Sequence, residues 1–299
     1  MGTAGAGGPI TWTSAMRIDL HTHSTASDGT DTPAELVRAA AEAGLDVVAV
    51  TDHDTTAGWD EALAARPAGL TVVRGVEFSC VHEDDAGRRI SLHLLAYFVD
   101  AEDAAIRAEW QRLRDSRVTR GRTMVERLVA DGYPISWAQV ERLAAGGSVG
   151  RPHIGRALVE AGVVPDVTTA FGDLLTSRRP YYVRKADTDV FTAIRLVRGA
   201  RGLPVFAHPL ARRRGPVVGD DVVAAMAAAG LVGLEVHHPD HDAGDTAHAA
   251  RLAVEHGLLG TGSSDYHGTN KTTPLGARLT DPAVYEQLLA LPAALTPVS

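Results

Sequence analysis

The chain holds one cysteine, Cys80, among 299 residues. A single thiol excludes an intrachain disulfide framework and any thiolate cluster for structural zinc or iron–sulfur. Lysine is almost as scarce, with only Lys185 and Lys271 beside 27 arginines. No apolar run approaches the ~18 residues that a membrane-spanning helix needs, so no membrane association is expected. Residues 1–15 have neither the basic start nor the apolar core of a secretory signal. They show no periodicity, read as a disordered tail, and leave a cytoplasmic location as the expectation.

What is present is histidine and acid. Thirteen histidines turn any metal chemistry toward nitrogen and oxygen ligands. The formal net charge of −8 argues against a stable duplex-nucleic-acid binder working through a basic surface. That charge is uneven. Residues 101–187 carry 14 Lys/Arg against 11 Asp/Glu, and the remainder carries 15 against 26. An acidic body suits cations and a basic segment suits anions, although solvated arginines on helices would give the same imbalance.

From Arg17 onward strands and helices alternate. Arg17–Leu20 reads as a strand, and 33–43 as a helix capped by Asp31 or Thr32 with Pro33 in its first turn. Asp46–Thr51 is the β-branched apolar run of a parallel strand buried on both faces. Residues 58–65 read as a helix, 70–78 and 90–98 as strands. Residues 101–130, 136–145 and 151–161 then read as consecutive helices, after which alternation resumes to residue 262. The expectation is an α/β fold with a parallel sheet, open or closed into a barrel, over 16–100 and 186–299, and a helical insertion over 101–185.

Chemistry collects where strands end. His21 and His23, spaced i and i+2 on a strand, point to one side and can grip one metal. Asp28 follows, then Asp52-His53-Asp54, Glu77, His93 on the next strand, His208 and Ser264-Asp265-Tyr266-His267. Each alone has an ordinary structural explanation, His93 for example as a core histidine bonded to a carbonyl. Six consecutive strands carrying such residues point to a polynuclear metal site at one barrel face.

Together, DLHTHS…SDG, AVTDHD, GVEFS, a strand-borne His, AHP and SSDYH resemble the PHP (polymerase and histidinol phosphatase) family of metal-dependent phosphoesterases. The likeness spans residues 16–280. It is nearest to stand-alone nucleotide phosphatases and short-RNA 5′ nucleases, which also carry an Arg-x-His element, here Arg151-Pro152-His153. The resemblance implies a distorted (β/α)7 TIM-like barrel with three divalent ions of manganese, iron or zinc. It places His21, His23, Glu77 and Asp265 on the first ion and Glu77, His93 and His208 on the second. Asp28, His53 and His267 fall on the third, and Asp52 orients an imidazole. Glu77, Asp265 and His208 would be the catalytic ligands, with a hydroxide between the first two ions attacking the phosphate ester. Asp28 stands where some members carry His, which favours harder ions there.

The insert is expected to hold substrate. Arg151 can offer phosphate a bidentate fork, His153 a further donor, and Arg184, Lys185 and His238 are further candidate contacts. Arg178 and Arg179 read as solvated, and Arg212-Arg213-Arg214 as a flexible loop. Cys80 reads as a small buried residue rather than a nucleophile. The expected substrate is a nucleotide, a 3′,5′-bisphosphate or a short 5′-phosphorylated oligonucleotide. A histidinol-phosphate-type phosphatase, an amidohydrolase and a non-catalytic metal-binding module are the alternatives. The amidohydrolase reading wants a strand-borne bridging lysine, and neither lysine is placed for it. The non-catalytic reading wants lost ligands, and every position is filled.

Overall fold

The computed structural model describes residues 16–299; the tail expected over residues 1–15 lies outside the described residues. Seven strands run around a nearly closed sheet. They are β1 (Ile18–Thr22), β2 (Val47–Val50), β3 (Thr71–Glu83), β4 (Arg89–Tyr97), β6 (Leu203–Ala207), β7 (Gly233–His237) and β8 (Leu259–Gly262), with a short β5 (Thr188–Asp189) beside the end of β3. A parallel bridge between Thr22 and Tyr266, with the His23 amide donating to the Tyr266 carbonyl at 2.8 Å, brings the two ends of the ring together.

One strand departs from the βα repeat. β4 runs antiparallel to both β3 and β6. Only residues 84–88 join β3 to β4, too few for the dozen or more of a parallel crossover. The hairpin turns at Gly87, whose φ of +73° suits a residue without Cβ. His93 therefore reaches the site from mid-strand, paired with Ala207 at the end of β6.

Alternation along the strands sorts side chains between two cores. On β4, Leu92, Leu94 and Ala96 join a cluster packed under helices that include α1 (Pro33–Glu42), α2 (Trp59–Ala65) and α7 (Val190–Gly199). Leu95 and Tyr97 face the other way, with Val205 and Leu203. Helix α1 starts on a capping box, Thr32 Oγ1 accepting from the Glu35 amide and Glu35 from the Thr32 amide, with Pro33 at its first turn. Helices α8 (Asp220–Ala228) and α9 (Ala243–Glu255) complete the later βα units, and α10 (Pro282–Ala290), absent from the sequence reading, packs Tyr285 and Leu288 into the second core.

Between β4 and β5 lie α3 (Ala104–Ala130), α4 (Trp137–Ala144), α5 (Arg151–Glu160) and a further short helix, α6 (Val167–Asp173), which the sequence reading left out. At 27 residues α3 is about 40 Å long. Its first half packs Ile106, Trp110 and Leu113 into the barrel's core, Trp110 edge-on to Phe78. Its second half packs Met124, Val125 and Leu128 with Val140, Ile154 and Leu158 in a separate cluster. No described helix is long and apolar enough to cross a membrane.

Candidate metal centre

Glu77 lies at the middle of the site, 1% exposed, and its two oxygens face different imidazoles. Oε2 is 3.3 Å from His21 Nε2, 3.1 Å from His23 Nε2 and 3.0 Å from His53 Nδ1. Oε1 is 2.7 Å from His93 Nδ1 and 3.0 Å from His208 Nε2. Asp265 Oδ1 stands 3.5 Å from both His21 Nε2 and His23 Nε2. Asp28 lies between His53 Nε2, at 3.7 Å, and His267 Nε2, at 3.3 Å. All nine residues named as ligands from the sequence thus gather around one centre.

The donor chemistry fits cations. His21, His23 and Asp265 form one group whose ligand atoms lie within 4.8 Å of one another; His53, Glu77 and His93 form a second, and His23, Asp28, His53 and His267 a third. His53 Nδ1 is buried without a hydrogen-bond partner although Glu77 Oε2 is 3.0 Å away, so its lone pair or proton is aimed into the cluster. Electrostatics point the same way. Burial opposes protonation of His23, yet the Asp265 and Glu77 carboxylates override it and raise its pKa to about 9. Burial holds His208 down at about 3 and His267 at about 4, leaving both rings neutral, the form that ligates metal.

Around these lie residues that orient them. Glu235, on β7, is fully buried; Oε1 is 3.3 Å from His21 Nδ1 and Oε2 accepts the His208 amide at 2.7 Å, with Ser263 Oγ also donating. Asp19 accepts from the Ser264 amide at 2.9 Å and the Gly276 amide at 2.8 Å, tying β1 to the loop that carries Asp265. Neither carboxylate was singled out from the sequence. A signal was available: each charge stands between two apolar residues of a short strand, Asp19 between Ile18 and Leu20 and Glu235 between Leu234 and Val236, and a buried carboxylate needs partners.

Asp52 acts at one remove. It accepts from Ser24 Oγ at 2.7 Å and Ser27 Oγ at 2.6 Å, and Ser27 Oγ lies 3.3 Å from His23 Nδ1. The imidazole expected to touch Asp52 is therefore reached through Ser27. Asp54 was given no role in the sequence, yet it joins three elements. Its backbone is left-handed, φ +55°, and its carboxylate accepts from the Ser79 amide at 2.7 Å and from Arg117 Nε at 2.8 Å. Arg114 Nη1 donates to its carbonyl at 2.5 Å.

The candidate substrate contacts divide. His153 is buried, and its Nδ1 accepts the Gly150 amide at 3.0 Å, capping α5 and leaving the ring proton on Nε2. Arg151 lies over Phe171 and Tyr182, its Nη1 donating to the Leu175 carbonyl. Lys185 turns inward to Asp187 at 3.0 Å, while its neighbour Arg184 is exposed. His238 is buried, its Nδ1 accepting the Asp240 amide and its Nε2 facing Asp265 Oδ2 at 3.3 Å, so its immediate contact is a candidate ligand residue.

The segment Arg212-Arg213-Arg214 departs from the flexible loop expected of it. It forms a 3-10 turn, and Arg214 bonds Asp240 Oδ2 at 2.6 Å and Asp265 Oδ2 at 2.5 Å. Lys271 Nζ reaches the same Asp265 oxygen at 2.6 Å. Arg214, Lys271 and His238 thus occupy Oδ2 and leave Oδ1 to His21 and His23. Lys271 is spent on this pair, which agrees with the argument against a bridging lysine.

The profile of the PHP domain matches residues 19–119. A 3′,5′-nucleoside bisphosphate phosphatase of Chromobacterium violaceum is 33% identical over 257 residues, 84% of this chain and 87% of that protein. The chain belongs to the PHP domain family. A second relative, the 5′-3′ exoribonuclease Rnm of Salmonella typhimurium, is 32% identical over 275 residues, 91% of this chain and 92% of that one. Among solved structures, a candidate metal-dependent phosphoesterase of Bifidobacterium adolescentis superposes with a TM-score of 0.87 at 38% identity, covering 92% of this chain and 96% of that one. The family's metal-dependent phosphoesterase chemistry and the His/Asp/Glu clusters agree.

Proposed function

We propose that this PHP protein hydrolyses phosphate esters of nucleotides, either mononucleotides and 3′,5′-bisphosphates or short 5′-phosphorylated oligonucleotides. The observation that carries this reading is the central carboxylate of Glu77, with one oxygen toward His21, His23 and His53 and the other toward His93 and His208. The relatives named as a bisphosphate phosphatase and an exoribonuclease support a nucleotide substrate.

In this reading three divalent ions, of the manganese, iron or zinc kind, are held by three sets. His21, His23, Glu77 and Asp265 form the first, Glu77, His93 and His208 the second, and Asp28, His53 and His267 the third. Bound there, the ions supply charge neutralisation at the phosphoryl oxygens and lower the pKa of a water to about 7. The protein's own side chains do the positioning. Glu235 fixes His21, Ser27 and Asp52 fix His23, and Arg214 with Lys271 fixes the face that Asp265 presents. Burial of the cluster excludes bulk water and strengthens each of these interactions.

The test is release of inorganic phosphate or mononucleotides by the purified chain. The substrates are mononucleotides, 3′,5′-bisphosphates, short RNA and histidinol phosphate, each with manganese, iron or zinc. His21→Ala serves as the control and is expected to abolish turnover. A wild-type chain inert toward every nucleotide with each ion, or one preferring histidinol phosphate, overturns the proposal.

A further inference from the structure

The segment after β8 runs His267-Gly268-Thr269-Asn270-Lys271, a glycine and short polar residues with little shape of their own. Its 3-10 turn, Gly268–Asn270, is closed by long bonds. The Asn270 amide lies 3.4 Å from the His267 carbonyl, and the Lys271 amide 3.4 Å from that of Gly268. The shorter bonds go outward, to the loop that follows β1. Tyr266 donates from its hydroxyl to Asp31 Oδ2 at 2.7 Å, the Thr269 amide to Thr30 Oγ1 at 2.9 Å, and Asn270 Nδ2 to the Asp28 carbonyl at 2.8 Å. Gly268 permits this approach: its φ is +63°, and a Cβ there would collide with Thr30 Oγ1.

One of these bonds bears directly on the cluster. Asp28 lies in a turn, and among the described residues no backbone amide donates to its carbonyl. That carbonyl can only accept, which sets the Asn270 amide with its nitrogen toward Asp28. The Asp28 carboxylate has a long contact with Ser27 Oγ, 3.4 Å, and otherwise faces imidazoles: His23 and His53 at 3.7 Å and His267 at 3.3 Å. With only two side-chain torsions, an aspartate takes its aim from its own backbone. The tie on that backbone is Asn270.

Asn270 also stands three residues after His267, on the turn that His267 begins. A single side chain thus spans the seam where β1 meets β8 and sets the spacing of two candidate ligands of one set, Asp28 and His267. Its neighbour Lys271 reaches Asp265 Oδ2 instead, at 2.6 Å. Adjacent residues therefore serve different sets.

We infer that Asn270 is a positioning residue for the Asp28–His53–His267 set: through the Asp28 carbonyl it holds the Asp28 carboxylate at the spacing from His267 that a shared divalent ion requires. The inference rests on the three-ion reading above and deepens it, since the affinity of one ion then depends on a residue that ligates none.

The test counts manganese bound per chain by equilibrium dialysis against graded free manganese. It compares wild type, Asn270→Ala, Tyr266→Phe, Asp28→Asn and the Asn270→Ala/Asp28→Asn double variant. Wild type should fill to three ions. Asn270→Ala should take up two ions as wild type does and need roughly 10–100-fold more free manganese for the third, the loss expected when a partner that orients a ligand is removed. Tyr266→Phe, which cuts the neighbouring bond between the same two loops, should move the third ion in the same direction. In the Asp28→Asn background, Asn270→Ala should add no further loss, because its route to the ion is already gone. Wild-type filling by Asn270→Ala overturns the inference, as does an equal loss of all three ions or a loss fully additive with that of Asp28→Asn. Should Asn270→Ala fail to fold, Tyr266→Phe decides, and an unmoved third ion there overturns the inference as well. A wild-type chain that fills only two ions removes the third set and the inference with it. One that fills three yet hydrolyses no nucleotide ester overturns the catalytic reading and leaves the inference standing.

Discussion

Arg117 donates from Nε to Asp54 Oδ2 at 2.8 Å, and this buried pair fastens the long helix α3 to the loop that carries His53. Asp54 spends its other oxygen on the Ser79 amide, and Ser79 is two residues from Glu77 and opposite His93. A single carboxylate therefore registers α3 against three candidate ligand positions, His53, Glu77 and His93.

Removing one partner should expose that dependence. Arg117→Ala leaves a carboxylate buried and unpaired, a defect that costs about 3–5 kcal/mol. Denaturant unfolding of the chelated protein should show the loss, and a double variant with Asp54→Asn should recover part of it. Full additivity of the two single losses would mean that the pair has no shared energy.

Glu77→Gln should damage the site more than Asp28→Asn. Glu77 faces five imidazoles through both oxygens, whereas Asp28 serves the His53–His267 side. Metal content after dialysis and turnover should both fall further in the Glu77 variant. Equal losses contradict the ranking.

Glu235→Gln tests a residue that touches the substrate nowhere in this reading. It orients His21 and holds the His208 amide, so its neutralisation should weaken metal affinity or turnover by roughly 10–100-fold. The fold should survive, since the amide keeps one acceptor for the His208 N–H. Unchanged metal affinity and turnover would reduce Glu235 to a packing residue.

Cys80 should resist thiol reagents. It is fully buried, and burial followed by the Asp54 charge raises its thiol well above the ordinary range. Labelling of the native chain with a disulfide-exchange reagent should track global unfolding, and rapid labelling under native conditions would show an open path to β3.

Most of the nine candidate ligand positions were legible in the sequence because they stand at or just past the end of a strand, where an apolar run gives way to a polar turn; Glu77 within β3 and His93 within β4 are the exceptions. The direction of β4 was not. ISLHLLAYF has the same period in either direction, and the strand expected to stop at Phe78 runs on to Glu83, shrinking the connection to hairpin length. Arg117 and Arg120 were not distinguished from the other arginines of the insert, because a composition argument counts charge and ignores position. Their spacing told more: Ile106, Trp110, Leu113, Arg117, Arg120, Met124 and Leu128 step by three and four along one buried face of α3. Asp19 and Glu235 were passed over because a strand's interior face cannot be told from its outer one before the ring is closed.

The insert is also pinned at a second point. The Ser148 amide donates to the Ala26 carbonyl at 2.8 Å, and Gly147 sits so close that a Cβ would fall 2.5 Å from the Thr25 carbonyl. One pin lies before Asp28 and the other after His53. An opening lid needs a hinge free to absorb a change in backbone angles, and here α3 runs unbroken from the barrel's core into the insert's own. These two ties hold the insert against the barrel on both flanks of the Asp28–His53 side. If the chain hydrolyses nucleotide esters as proposed, substrates would be sorted as by a gauge, by what fits beneath an insert fastened on both flanks of the Asp28–His53 side.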